Sequence, residues 1–256
     1  MINFEPLDDI VKCYGHIQDM ETYSRVYRES LTPLGIKLLR EKDEVSSDNR
    51  ERKIRFHDYI SGTDARLLPR YVTADFTRSL VPEVLTSISG AQRVLDLGCM
   101  DGLHTILYAL NMPQTSFVGI DISQGSLHVA NENKERYRTG NVKFVPADVV
   151  VMPFTRAFDA IVATGVLSET YMVLETLTGY RPDPCLIYKF NMIKRVAVPG
   201  AKIVVTFQST RIKEFGERLQ FYFESAGLEL VDMKQLPFNI FDDTDKVLFV
   251  VAKTPS

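Results

Sequence analysis

The chain reads as an α/β protein: a doubly wound, seven-stranded, mostly parallel sheet with an antiparallel last strand, preceded by an N-terminal helical cap. Three observations predict this. From about Arg93 onward, short runs rich in valine, isoleucine and leucine alternate with stretches of helical period. Most of the runs are almost continuously apolar, as expected of strands covered on both faces. Residues 1 to about 90 contain no such runs and show aromatic-rich helical patches instead.

The predicted strands are Arg93–Leu97, Ser116–Ile120, Val142–Val145, Ala160–Ala163, Lys202–Phe207, Leu228–Met233 and Val247–Ala252. Between them Leu103, Leu107 and Leu110, and later Phe215, Leu219 and Phe223, recur at helical spacing. A helix over Leu186–Val198 is expected to stop at Pro199-Gly200, just before the fifth strand. Alternation of this kind implies parallel strands joined by right-handed crossovers. The last two runs are separated by Gln235–Asp245, which reads as a loop, so they are expected to pair as an antiparallel hairpin at the sheet edge.

In the N-terminal region Asp43–Lys53 is polar and reads as a connection. Phe76, Leu80, Val84 and Ile88 mark one helical face, which Pro82 is expected to kink or restart. The expected division is a cap over 1–90 and an α/β core over 91–256.

At 256 residues, with 45% hydrophobic and 25% charged residues, the composition is that of a globular protein able to bury a large core. Cys13, Cys99 and Cys185 are odd in number, widely spaced and lack zinc-ligand spacing, so neither disulfide nor metal site is expected. Net charge is −3, and the densest basic stretch, Arg50–Arg55, follows acidic Asp43-Glu44. That balance disfavours nucleic acid as a partner. Met1–Pro6 has no signal-peptide character, and no apolar run approaches the roughly 18 residues of a membrane span. A cytoplasmic protein without membrane contact is expected; oligomeric state is not legible.

The chemistry gathers at the strand ends. The first strand runs into Leu97-Gly98-Cys99-Met100-Asp101-Gly102, a glycine-bearing loop before a helix, where open α/β sheets bind ligands. The second ends in Asp121, a carboxylate able to accept hydrogen bonds from both ribose hydroxyls, with Ser123 placed as a helix N-cap. The third is followed by Asp148, suited to an exocyclic amine such as that of adenine. A dinucleotide site wants G-x-G-x-x-G; Met100 stands at its second glycine and would crowd a pyrophosphate. The constellation suits a nucleoside without phosphates better than NAD.

On these residues the sequence resembles the class I, Rossmann-like methyltransferase superfamily that uses S-adenosylmethionine. Val94–Gly102 is similar to its first motif, with Met100 at the middle glycine, and Val118–Ser123 to its second. Phe158–Val162 resembles its fourth strand, and Arg195–Ile203 the unit leading into the fifth. The resemblance covers about residues 90–253. It implies S-adenosyl-L-methionine as cofactor, with contacts from Asp96, Gly98, Cys99, Gly102, Asp121, Ile122, Asp148, Val149 and Thr164. It places acceptor-facing residues in Thr164–Tyr171, which lacks the D/N-P-P-Y/F motif of amino methyltransferases.

No catalytic residue is assigned. Glu169, His57, Tyr59, Tyr71 and His104 are candidates for the acceptor or cofactor site, and Cys185 reads as core. The expected function is methyl transfer to an oxygen or nitrogen of a small molecule. Protein, and below it RNA, is the alternative acceptor class, and a non-catalytic member of the fold is a further one.

Overall fold

The computed structural model describes residues 2–15, 17–43, 49–165, 184–208, 212–240 and 243–256. The N-terminal region supplies α1 (Glu5–Tyr14), α2 (Met20–Glu29), α3 (Pro33–Asp43), α4 (Asn49–Ser61), α5 (Leu68–Val72) and α6 (Ala74–Ser87). A 3-10 turn, Asp64–Leu67, precedes α5. Then follow β1 (Arg93–Leu97), α7 (Leu103–Asn111), β2 (Ser116–Asp121), α8 (Gln124–Arg136), β3 (Val142–Pro146) and β4 (Phe158–Thr164). The chain closes with α9 (Pro184–Val196), β5 (Ala197–Gln208), α10 (Ile212–Ser225), β6 (Glu229–Ile240) and β7 (Asp243–Lys253).

The seven strands form one sheet in the order β3-β2-β1-β4-β5-β7-β6. β7 is antiparallel to both neighbours, and the other described pairings are parallel. The apolar runs are continuous because alternate residues enter two different cores. Val94, Ala160, Val162, Val204 and Phe249 face one, together with α1, α6, α7 and α8. Leu95, Leu97, Ile161, Ile203, Val205 and Val250 face the other, under α9 and α10. A smaller cluster of Leu31, Phe56, Ile60 and Ala65 holds α3, α4 and the turn before α5 together. No described helix is long and apolar enough to cross a membrane.

Four local expectations are corrected. Asn49–Lys53 is not connection but the first part of α4. Pro199-Gly200 does not stand between helix and strand: α9 ends at Val196, and the dipeptide lies inside β5, where the pairing with β4 shifts between Phe158 and Ala160. Gly200 takes φ 76° there, a bulge conformation. Gln235–Asp245 is mostly strand, since β6 continues to Ile240 and β7 begins at Asp243. Leu236 is buried and the Phe238 ring meets Phe76 edge-on at 5.0 Å, so alternate side chains of this polar-looking stretch face the core.

The fourth correction concerns the restart expected at Pro82: α6 runs through it as one helix. A mid-helix proline forfeits one backbone bond and costs roughly 3 kcal/mol. Against that, α6 buries Phe76, Leu80, Val81 and Val84, each contributing about 1.5–3 kcal/mol, and Glu83 pairs with Lys234 of β6. Packing wins over propensity. Pro82→Ala restores the donor to the Arg78 carbonyl, so it should raise stability by about 1–2 kcal/mol in denaturant unfolding; a loss would mean that the helix is bent to fit the proline.

Candidate active site

β1 and β4 are adjacent, with β2 and β3 to one side and β5 to the other, so the strand order reverses between them. Open sheets of this kind leave a crevice at that point, outside the carboxyl ends of the strands. The loop after β1 is sewn to the end of β2. Gly98 N–H and Cys99 N–H both donate to the Ile120 carbonyl, at 2.8 and 3.0 Å, and Met100 N–H donates to Asp121 Oδ2 at 2.9 Å. Gly98, Met100 and Gly102 all have positive φ (68°, 49° and 74°). For Met100 this is a strained conformation, since it carries a β-carbon.

Gly102 has a structural duty that the sequence does not display. A β-carbon there would lie 2.5 Å from the Phe144 ring, and one at Gly119 would lie 2.7 Å from the same ring. Phe144 of β3 thus fills a slot between the loop and β2 that only glycines leave open.

The Asp121 carboxylate accepts from Met100 N–H and, at 2.8 Å, from Ser123 N–H, leaving one lone pair on each oxygen. Ser123 caps α8, accepting from Ser126 N–H as expected. Ile122 beside it is 40% exposed, an apolar side chain left facing solvent next to a carboxylate. Asp148 forms a turn, accepting from Val150 N–H at 2.9 Å, and Val149 packs partly against the second core. The register Asp121↔Pro146 brings Asp121, Ile122, Asp148 and Val149 to the same end of the sheet.

Asp96 is almost completely buried. Its Oδ2 accepts from the Thr105 hydroxyl, while Oδ1 has no hydrogen-bond partner among the described residues. Burial pushes its carboxyl up to about 7, in spite of Thr105 and the charge of Arg70, with Asp121 adding to the rise. Burial also pushes the Cys99 thiol up, so Cys99 offers backbone and not a thiolate.

One residue that sequence reasoning missed is Arg70. It lies on α5 and clamps Asp101 of the loop through two hydrogen bonds, 3.1 and 2.6 Å, with Met100 Sδ 3.8 Å away. Burial works against the Asp101 charge, yet the guanidinium holds its carboxyl below the ordinary range. A five-residue helix 31 positions upstream carries no motif, so only the fold reveals this pairing. α4 makes a second tie, from Asp58 to the start of α8.

His104 opens α7 and bridges Thr77 Oγ1 of α6 (3.2 Å) and Thr164 Oγ1 at the end of β4 (3.4 Å). Burial, reinforced by the charge of Arg70, pushes it down to about 3, so the imidazole is neutral. Tyr59 and Tyr71 use their hydroxyls within the N-terminal helices, on Thr32 and the Ile17 carbonyl. His57 packs edge-on against Phe56 at 5.7 Å. Glu169, and Val166–Tyr171 as a whole, lie outside the described residues, as does the side chain of Cys185.

Arg70 and Asp101 expose only 16% and 10% of their side chains, so removing one partner strands a buried charge. Arg70→Ala should lower stability by about 3–5 kcal/mol, with Arg70→Lys recovering only part of the loss. Denaturant titration of the three proteins checks this; an Arg70→Ala effect under about 1 kcal/mol would mean that the pair is solvated.

Residues 88–245 match the methyltransferase domain family. The chain is 28% identical over 174 residues to the release factor glutamine methyltransferase of Lactococcus lactis, covering 64% of this chain and 63% of that protein. It is 24% identical over 97 residues to the malonyl-[acyl-carrier protein] O-methyltransferase of a Paenibacillus species, covering 37% and 35% respectively. The chain thus spans less than two thirds of the length of either relative. Its fold is shared with the N-methyltransferase NodS of Bradyrhizobium japonicum, solved with S-adenosylhomocysteine, at a TM-score of 0.53 and 18% identity over 70% of this chain and 87% of that one. With the match spanning residues 88–245, the chain belongs to the methyltransferase domain family.

Proposed function

We propose that this protein transfers the methyl group of S-adenosylmethionine to an oxygen or nitrogen of a small-molecule acceptor, in the cytoplasm. The observation that carries the small acceptor is the double tie of the N-terminal helices to the site, through Arg70–Asp101 and Asp58–Gly125. In this reading residues 1–90 form a cover over the acceptor, and residues 91–256 the cofactor-binding core.

The residues fit the cofactor. Asp121 takes the ribose hydroxyls, Asp148 the adenine amine, and Ile122 and Val149 the faces of the ring. The backbone of Gly98, Cys99 and Gly102 borders the methionine portion, with Thr164 on the acceptor side. Asp96, with an unpartnered buried oxygen, complements the ammonium. Asp96, Asp101, Asp121 and Asp148 against Arg70 leave the site net acidic, which suits a cofactor bearing a sulfonium and an ammonium. Bound S-adenosylmethionine supplies an electrophilic methyl that an acceptor lone pair displaces in line. The protein's part is to align the two and exclude water. His104 is too weakly basic at neutral pH to draw a proton from the acceptor, so it serves in position and not as general base.

A protein acceptor is the second reading, favoured by the likeness to a release factor methyltransferase. Against it, Thr164-Gly165-Val166-Leu167 after β4 does not carry the D/N-P-P-Y/F motif. Incubation with methyl-labelled cofactor and fractionated cell extract decides: label in the metabolite fraction is expected, and label confined to protein overturns the small-acceptor reading.

Two further outcomes follow from the site. Asp121→Ala should weaken S-adenosylhomocysteine binding by about 1–3 kcal/mol in calorimetry; unchanged affinity defeats the ribose assignment. The folded-state value of Asp96, about 7, lies above the ordinary 3.8, so its ionisation costs the unliganded fold stability as pH rises between those values. A bound ammonium offsets that cost. S-adenosylhomocysteine affinity should therefore rise from about pH 5.5 to 7.5, with proton release, and Asp96→Asn should flatten the profile. A profile of equal slope in the variant assigns the titration elsewhere.

A further inference from the structure

Asp58 belongs to the N-terminal helices, yet its carboxylate sits on the first turn of α8. Its Oδ1 accepts from the Ser123 hydroxyl at 2.6 Å and from Gly125 N–H at 3.0 Å. Ser123 also donates its backbone N–H to Asp121 Oδ1 at 2.8 Å. A single residue therefore bridges the cap's carboxylate and the one at the end of β2. Ser61 Oγ and Ser126 Oγ, 3.1 Å apart, add a second contact between the same two helices.

The approach is built into the backbone. A β-carbon on Gly125 would stand 2.9 Å from the Asp58 carbonyl oxygen and 3.0 Å from its Cα, so a larger residue would push α4 away. Asp58 is thus held on α8 by close packing as well as by hydrogen bonds.

The first turn of a helix presents free N–H groups and a partial positive charge, which makes it a ready anion site. In sheets of this class it lies beside the carboxylate that takes the ribose hydroxyls, and sites that accept a phosphorylated ribose place a cation nearby. Here a carboxylate from another part of the chain fills that place. A phosphate on the 2′ or 3′ oxygen of a ribose held by Asp121 would meet two carboxylates and a helix terminus already neutralised.

We infer that Asp58 is a specificity-determining residue: by occupying the N-terminus of α8 beside Asp121, it makes the site select adenosyl compounds with free ribose hydroxyls over ribose-phosphorylated ones. The inference rests on Asp121 as the ribose carboxylate. It gives the N-terminal helices a share in choosing the nucleoside, besides covering the acceptor.

The test is competition calorimetry on the full chain, with S-adenosylhomocysteine displaced by adenosine, adenosine 2′-monophosphate or adenosine 3′-monophosphate. The wild type should prefer adenosine over both phosphates by about 100-fold. Asp58→Asn keeps an oxygen to accept from Ser123 and Gly125 while removing the charge. It should hold S-adenosylhomocysteine affinity within about threefold and narrow the preference about tenfold. Gly125→Ala, which displaces α4 with Asp58 intact, should narrow the preference similarly and lower the Tm. An unchanged preference in Asp58→Asn at unchanged Tm overturns the inference. If Asp58→Asn itself lowers the Tm, an unchanged preference in Gly125→Ala overturns it. Failure of wild-type protein to bind S-adenosylhomocysteine would show before any variant is made; it would defeat the cofactor assignments and this inference together.

Discussion

The Phe144 ring, lodged between Gly102 and Gly119, is the constraint on which the site depends. One β3 side chain touches the start of α7, the middle of β2 and, through the neighbouring contacts of Gly102 and Gly119, Ala130 of α8 and Cys99 of the loop. Interiors packed this closely transmit small displacements instead of absorbing them. The loop after β1 is thereby set against β2 and β3. Asp121 then locks the arrangement by accepting from Met100 on one side and Ser123 on the other. Gly102, which in the sequence looks reserved for a ligand, is first of all room for an aromatic ring.

The same interaction explains how Met100 is tolerated. Its backbone is committed twice over: the preceding residues hang from Ile120, and its own N–H is held by Asp121. A conformation that costs a non-glycine residue of order 1–2 kcal/mol persists where its surroundings over-determine it. Its side chain is turned toward Arg70 on α5, so the thioether stands between the loop and the N-terminal helices. The methionine at the motif's middle glycine is thus held by its backbone at Asp121 and by its side chain at Arg70.

Much of the fold was legible because each of its signals is short-range or periodic. β1, read from five residues, has the same bounds in the structure, and the antiparallel hairpin follows from the lack of a helix between the last two runs. Errors fell where tertiary packing overrode a local rule. Pro82 sits in an unbroken helix because the face it shares is buried, and β6 extends through a polar-looking stretch because only every second residue needs a core. The positions of Asp121 and Asp148 at the ends of β2 and β3 were legible because strand ends are marked in the sequence. Arg70 and Asp58 were not, because nothing in a helical segment tells which loop, 31 or 65 positions on, it will meet.

The two kinds of residue divide the electrostatics of the site. The motif carboxylates come from the strand ends and make the crevice acidic, a field that draws a sulfonium in and leaves a buried Asp96 only partly ionised near neutral pH. Arg70 and Asp58 come from the N-terminal helices and modify that field at two places. Arg70 brings a positive charge to the glycine loop, lowering Asp101 and adding to the burial that keeps His104 neutral. Asp58 brings a negative charge to the first turn of α8, beside Asp121. Without those helices the loop would lack its cation and the first turn of α8 its second carboxylate. The N-terminal helices therefore take part in the charge pattern of the strand ends as well as in their packing.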